Sequence, residues 1–242
     1  MQYLYNIILY QPFLNAMVFF YNTIAFGDLG LAIIFLTTLV RLLLFPIFQK
    51  STKHQMVMQR LQPKLKKIQE DHHHNPEQQT KAMMSLYREH QVNPFSGFFL
   101  LLLQLPILIA LYHIVLNILK PGTIVGLYSF IQAPQNLSHQ FLGLINLEER
   151  SIVIVGLAAL AQYVQMRLGL PKAQEKRELS TTERMGRQMI FIGPILTFVI
   201  FYNFPSAIGL YWLTTSLFSV PQQAIINRQQ HGELGPLHNK TD

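Results

Sequence analysis

The chain contains no cysteine. That excludes a structural disulfide, a thiolate metal site, a catalytic thiol and a cysteine-linked lipid anchor. Charge is also scarce, at 13% of residues against 50% hydrophobic. Acidic residues number 12 against 19 lysines and arginines, leaving a net charge of +7. No basic segment precedes the apolar N-terminus, so it does not read as a secretory signal. No inverted repeat or paired intramembrane carboxylates mark a coupling-ion site, and no serine or acid pair with a base marks an intramembrane hydrolase.

What is present is a set of long apolar windows, at 29–48, 95–119, 152–170, 189–204 and 207–226. A soluble helical protein would interleave charges through such windows, and this one does not. The windows predict an all-α polytopic membrane protein with five transmembrane helices. The expected divisions are a first span at 28–49, a second at 94–119, a third at 151–170, a fourth at 188–204 and a fifth at 206–227. The fourth is short and carries Pro194; with the fifth it reads as a tight helical hairpin through Asn203 to Ser206.

Positive charge gives the orientation, because short cytoplasmic loops collect lysine and arginine. Residues 49–93 hold Lys50, Lys53, Arg60, Lys64, Lys66, Lys67, Lys81 and Arg88, and residues 167–188 hold Arg167, Lys172, Lys176, Arg177, Arg184 and Arg187. The 120–150 segment has only Lys120 and Arg150, and the first 40 residues have neither lysine nor arginine. The expectation is therefore an outside N-terminus, an extracytoplasmic loop at 120–150, a cytoplasmic loop at 171–187 and a cytoplasmic tail at 228–242. The basic balance is a topology signal, and no nucleic-acid binding is expected.

Residues 1–27 place Leu4, Ile7, Ile8, Leu14, Met17, Val18 and Tyr21 at helical spacing among regular polar interruptions. They are expected to form two short amphipathic helices in the outer interface, broken at Pro12, with a sixth span as the alternative. Residues 50–93 are expected to form a cytoplasmic helical hairpin. Its stretches, about 50–70 and 76–91, flank a break at Asp71 to Asn75, with Met56, Leu61, Leu65 and Ile68 set against Met83, Met84, Leu86 and Tyr87. His72, His73 and His74 lie on the turn without the spacing of a metal site, so no metal is expected.

Arg41 is the only charged residue in the 29–48 window. An ionisable group at membrane depth costs about 2.5 to 3.5 kcal/mol on insertion scales and marks a functional site by default; snorkelling to the headgroups is the alternative. Nine residues separate it from Lys50, about 13 Å of helix. Thr37 and Thr38 precede it by four and three positions and share its face. Gln104 on the second span, Gln162 on the third and Ser216 on the fifth fall near the same depth. Together they predict a hydrated cavity open to the cytoplasm. His113 reads as an interhelical donor.

These residues resemble the YidC family of membrane protein insertases. The stretch RLLLFPIFQKSTKHQMVMQRLQPKLKKIQE at 41–70 is similar to that family's arginine-bearing span and first cytoplasmic helix. VNPFSGFFLLLLQLPILIALY at 92–112 carries its Asn-Pro and Gln-Leu-Pro signatures, here Asn93, Pro94, Gln104, Leu105 and Pro106. FPSAIGLYW at 204–212 resembles the motif opening its last span, although Gly209 falls two positions late and Ser216 stands where asparagine is common.

The resemblance implies a hydrophilic groove open to the cytoplasm and to lipid. Its client-binding residues would be Arg41, Thr37, Thr38, Gln104, Gln162, Trp212 and Ser216, with Trp212 the aromatic contact. It implies a membrane insertase and chaperone for nascent membrane proteins in the bacterial cytoplasmic (inner) membrane, with no enzyme activity and no cofactor. An ion or solute transporter is the alternative. Implied partners are nascent membrane proteins, the ribosome, the signal recognition particle pathway, the Sec translocon and membrane lipids. The large extracytoplasmic domain of some relatives is not expected, nor is ribosome contact through a long basic tail.

Overall fold

The computed structural model describes residues 2–118, 124–134, 137–169 and 181–233. The described chain is mostly helical. In order, it runs α1 (Gln2–Tyr5), a π-helical turn (Asn6–Tyr10), α2 (Gln11–Asn22), α3 (Leu29–Leu43), α4 (Phe45–Asp71), α5 (Pro76–Glu89), α6 (Ser96–Ile118), strands β1 (Gln140–Phe141) and β2 (Ile145–Asn146), α7 (Ile152–Gly169), α8 (Thr181–Phe201) and α9 (Ser206–Glu233). Lys120, Lys172, Lys176, Arg177 and most of the 228–242 tail lie outside the described residues.

Helix α3 begins where the Asp28 carboxylate accepts from Leu31 N at 2.9 Å, satisfying one of the amides that the first turn leaves open. It ends at Leu44, and Pro46 enters the first turn of α4, where a missing N–H costs nothing. The two axes meet at 68°. The 29–48 window is thus a broken helix, because Pro46 cannot donate to the preceding turn. Asn75 caps α5 by accepting from Gln78 N at 3.1 Å, with Pro76 following.

Length and apolarity let α6 and α7 each cross a bilayer; α3 reaches that length only together with the bent α4. The apolar part of α8 is the shorter Ile190–Phe201. Helix α9 has 28 residues but carries Thr214, Thr215, Ser216, Ser219, Gln222 and Gln223 through its middle. Large apolar side chains lie exposed along α6 (Phe98, Phe99, Leu102, Ile109), α7 (Val153, Leu157, Leu160) and α8 (Ile192, Ile195, Leu196, Val199). Exposed apolar faces of that kind fit lipid rather than water, and the chain is a helical membrane protein.

The main core joins α2, α3, α6, α7 and α9 around Met17, Ile33, Leu36, Leu111, Ile114, Ile154 and Ile208. Helices α8 and α9 follow one another through a short turn, yet each packs chiefly on α7. The reading of a tight α8–α9 hairpin is corrected in this respect. Glycines permit the close approaches: a Cβ at Gly209 would lie 3.0 Å from Ile154 Cγ2, and one at Gly193 would lie 2.8 Å from Met166 Sδ. The late position of Gly209 therefore has a packing reason. Helix α8 also starts at Thr181, inside the segment read as a loop, and α9 runs on to Glu233.

Two further readings change. Pro12 does not break the N-terminal helix, because Tyr10 and Gln11 keep helical angles and the Gln11 amide reaches back to Asn6 O. The wider π turn before Pro12 accommodates a residue that cannot donate to its own ladder. Near the chain's middle, β1 and β2 form a small antiparallel ladder pairing Gln140 with Asn146 and Phe141 with Ile145. This ladder joins the helix ends: Leu142 N donates to Asp28 at 2.6 Å, Ser138 N to Tyr21 Oη at 2.8 Å and Ser206 Oγ to Asn146 O at 2.8 Å.

Helices α4 and α5 pack around Leu61, Leu65, Leu86 and Val92, with Val57, Met58, Ile68, Met83 and Tyr87 at the margin. Met84 is exposed and Met56 turns instead toward Gln223 of α9.

Candidate functional site

Arg41 occupies the last turn of α3, where unsatisfied carbonyls and the negative end of the helix dipole favour a cation. It is 7% exposed. Its guanidinium carbon lies 4.2 Å from the centroid of the Phe48 ring, a cation–π contact across the α3–α4 bend. Among the described residues it has no acidic partner and no hydrogen bond. The Tyr211 hydroxyl of α9 lies within its electrostatic reach.

The bend alters the depth argument. Projected on the α3 axis, the segment after Leu44 advances with the cosine of 68°, so Arg41 and Lys50 are separated by about 8 Å rather than about 13 Å. Arg41 nevertheless turns into the protein instead of snorkelling outward. The Phe48 ring and the helix C-terminus offset part of the solvation that burial removes.

Thr37 is buried on the same face and donates to Ile33 O at 2.6 Å, a bond within its own helix. Thr38, one position further round, is half-buried. Gln104 of α6 donates its side-chain amide to Tyr211 Oη. Gln162 of α7 accepts from Trp212 Nε1 at 3.1 Å and from Thr197 Oγ1 of α8. Trp212 lies against Phe201, with ring centroids 4.9 Å apart. Ser216 is buried one turn beyond Trp212.

Five of the seven expected site residues thus fall into two polar groups, and Thr38 and Ser216 join neither. One holds Arg41 with Gln104 through Tyr211, and Thr37 lies on the Arg41 face. The other joins Gln162, Trp212 and Thr197, tying α7, α8 and α9 together. Tyr211 and Trp212 are adjacent, so their side chains diverge by about 100° around α9 and each serves one group.

Sequence reasoning missed Tyr211, the link between α3, α6 and α9. It also missed the buried polar stripe Tyr211, Thr215, Ser219 and Gln222. The signal was present, since intervals of four, four and three place them on one helix face. At the C-terminal end of the stripe, Gln222 points its amide at Phe45 O, 3.5 Å away beside the bend, and Gln223 donates to Asn227 Oδ1 at 3.2 Å. His113, outside this site, shares a 2.8 Å hydrogen bond with Tyr5.

Comparison with known proteins adds an independent finding. Residues 19–233 match a family model described as 60Kd inner membrane protein. The chain is 32% identical over 220 residues to "Membrane protein insertase YidC" of Pelobacter propionicus, which covers 90% of this chain and 38% of that protein. It is 34% identical over 202 residues to the protein of the same name from Francisella tularensis subsp. novicida, covering 84% of this chain and 33% of that protein. The chain spans about a third of the length of these curated relatives.

Proposed function

The chain belongs to the 60Kd inner membrane protein family, that of the YidC insertases, and from this premise we propose that it inserts nascent proteins into the membrane. The observation that carries the reading is the buried Arg41, free of any carboxylate among the described residues and within electrostatic reach of Tyr211, which in turn accepts from Gln104. A structural cation buried at this cost would be paired with an acid. An unpaired one suits a visiting charge.

In this reading five spans surround a hydrophilic groove that opens to the cytoplasm and to lipid. The N-terminus is outside, and α4 with α5 forms a cytoplasmic hairpin over residues 50–93. Arg41, Thr37, Thr38, Gln104, Gln162, Trp212 and Ser216 line the client path, with Tyr211 added. The groove works by shortening the apolar distance that a hydrophilic segment must cross, since dehydrating that segment is the main barrier.

Arg41 attracts acidic or polar parts of the client. At an effective dielectric of about 20, an ion pair 4 Å apart is worth around 4 kcal/mol before desolvation. A single charge holds the client loosely enough to release it. The exposed apolar side chains of α6 give the client's hydrophobic span a path into lipid, and its burial supplies the net drive. The membrane potential adds about 2.3 kcal/mol per charge per 100 mV. Ribosome, signal recognition particle and Sec translocon are the proposed partners at the cytoplasmic face.

Reconstitution into liposomes tests the reading. Insertion of a small membrane protein with an acidic translocated segment is the expected result. Ion or proton flux without insertion would replace the insertase with a transporter.

A further inference from the structure

We propose that the start of α4 is a binding site for an anionic phospholipid, with the headgroup held by Lys50, Lys53 and His54 and the acyl chains on Leu43 and Ile47. The inference rests on α3 being a membrane helix and does not depend on insertase activity.

The cations of α4 are arranged, not scattered. Lys50, Lys53, Arg60, Lys64 and Lys67 stand at intervals of three, seven, four and three, which confines them to an arc of about 100°. Lys50, Lys53, Lys64 and Lys67 are exposed and Arg60 half-buried. Among the described residues, Lys50, Arg60, Lys64 and Lys67 have no acidic partner. Lys66, which meets Glu70 at 3.5 Å, lies off the stripe. Asp71 closes the far end.

The bend sets the height of each charge. With α3 along the bilayer normal, α4 leaves it at 68° and climbs slowly from the surface. The stripe is about 26 Å long, so Lys67 stands about 10 Å higher than Lys50. That rise is close to one Debye length at 0.1 M salt, and attraction to a charged surface falls along the stripe. The N-terminal pair therefore dominates.

Apolar and cationic surfaces adjoin at that pair. Leu43 and Ile47 are exposed at 70% and 39%, and Ile47 precedes Lys50 by three residues and His54 by seven, on the same face of α4. This order of apolar, then cationic, side chains matches acyl chain and then phosphate. Burial holds the His54 pKa below the ordinary histidine value, and the positive field of Lys50 and Lys53 lowers it further. A bound phosphate diester would oppose that field. Free phosphate shares the charge but has no use for the apolar half of the site, and RNA shares the stripe but not its dependence on height.

The test uses the full chain, purified in neutral detergent and titrated with phosphatidylglycerol or phosphatidylcholine, with retained lipid read by native mass spectrometry. Near the surface an uncompensated cation contributes about a fivefold preference, so Lys50 should favour phosphatidylglycerol by about fivefold and Lys53 should add to that. Lys50→Gln with Lys53→Gln should lose most of that preference, whereas Lys64→Gln with Lys67→Gln should lose about threefold, given the screening over 10 Å. The Lys50→Arg, Lys53→Arg variant should keep it, which separates charge from folding. In nanodiscs, phosphatidylglycerol should raise the His54 pKa, followed by NMR.

Equal retention of both lipids would overturn the site, as would equal losses from the two lysine pairs. Displacement of the lipid by millimolar inorganic phosphate would reduce it to a phosphate site, and displacement by an RNA oligonucleotide would make it a nucleic-acid surface; either overturns the proposal.

Discussion

Tyr211 and Gln104 hold each other's polar groups inside an apolar bundle, and the consequence is measurable. Tyr211→Phe leaves the Gln104 amide without its partner and should cost about 1 to 3 kcal/mol in a reversible unfolding assay in detergent. Adding Gln104→Leu should recover part of that loss, because removing both partners is cheaper than orphaning one. An additive double variant would show that the bond contributes nothing. Arg41 calls for a different comparison. Arg41→Lys keeps the charge and should retain much of the insertion of acidic-tailed clients; Arg41→Ala should lose them selectively, and Arg41→Glu should be worst. Equal losses for acidic and neutralised clients would favour a structural role through the Phe48 contact.

Elements meet through small residues and short polar links, and these give predictions of their own. A Cβ on Gly30 would fall 2.2 Å from the Phe141 ring of the β1–β2 ladder. Gly30→Ala should therefore destabilise by a few kcal/mol through overpacking, and Phe141→Ala in the same chain should recover much of it. Failure of that rescue would mean that the ladder does not depend on this contact. The α4–α5 pair has a thin core of Leu61, Leu65, Leu86 and Val92, so it is the element most easily removed. Its first turns are not dispensable, because Met56 meets Gln223 and Gln55 lies beside Gly97. Replacing residues 62–89 with a short flexible linker should leave a membrane-embedded bundle with impaired insertion. Full activity in that deletion would remove the pair from the mechanism.

At the scale of the whole molecule the proposed orientation is direct to measure, because the chain is free of cysteine. Ser51 is 7% exposed and a poor labelling position, whereas Gln69 and Ser138 are exposed. In intact cells a cysteine at Ser138 should react with an impermeant thiol reagent and one at Gln69 should not. Reaction at Gln69 would invert the topology. The same logic covers the α8 side of the molecule, where Thr181 begins a helix.

Local chemistry made much of this protein legible from its residues alone. Lipid cannot satisfy backbone polar groups, so long apolar windows had to become helices, and a lone arginine within one had to be accounted for. Asn75 before Pro76 marked a helix start because capping acts over three residues. Tertiary structure alone decided the rest. The 68° bend was signalled by Pro46, but its angle depends on how α4 packs on α6 and α9. The choice of α7 as the common partner of α8 and α9 follows from the fit of Gly193 and Gly209 against it, a matter of distance between residues far apart in the chain. Spacing put Thr37 and Arg41 on one face, yet only the folded bundle brought Tyr211 between Arg41 and Gln104. Helical periodicity gives the face on which a side chain lies, while its partner is set by the rotation of each helix about its own axis, which the packing of the whole core fixes.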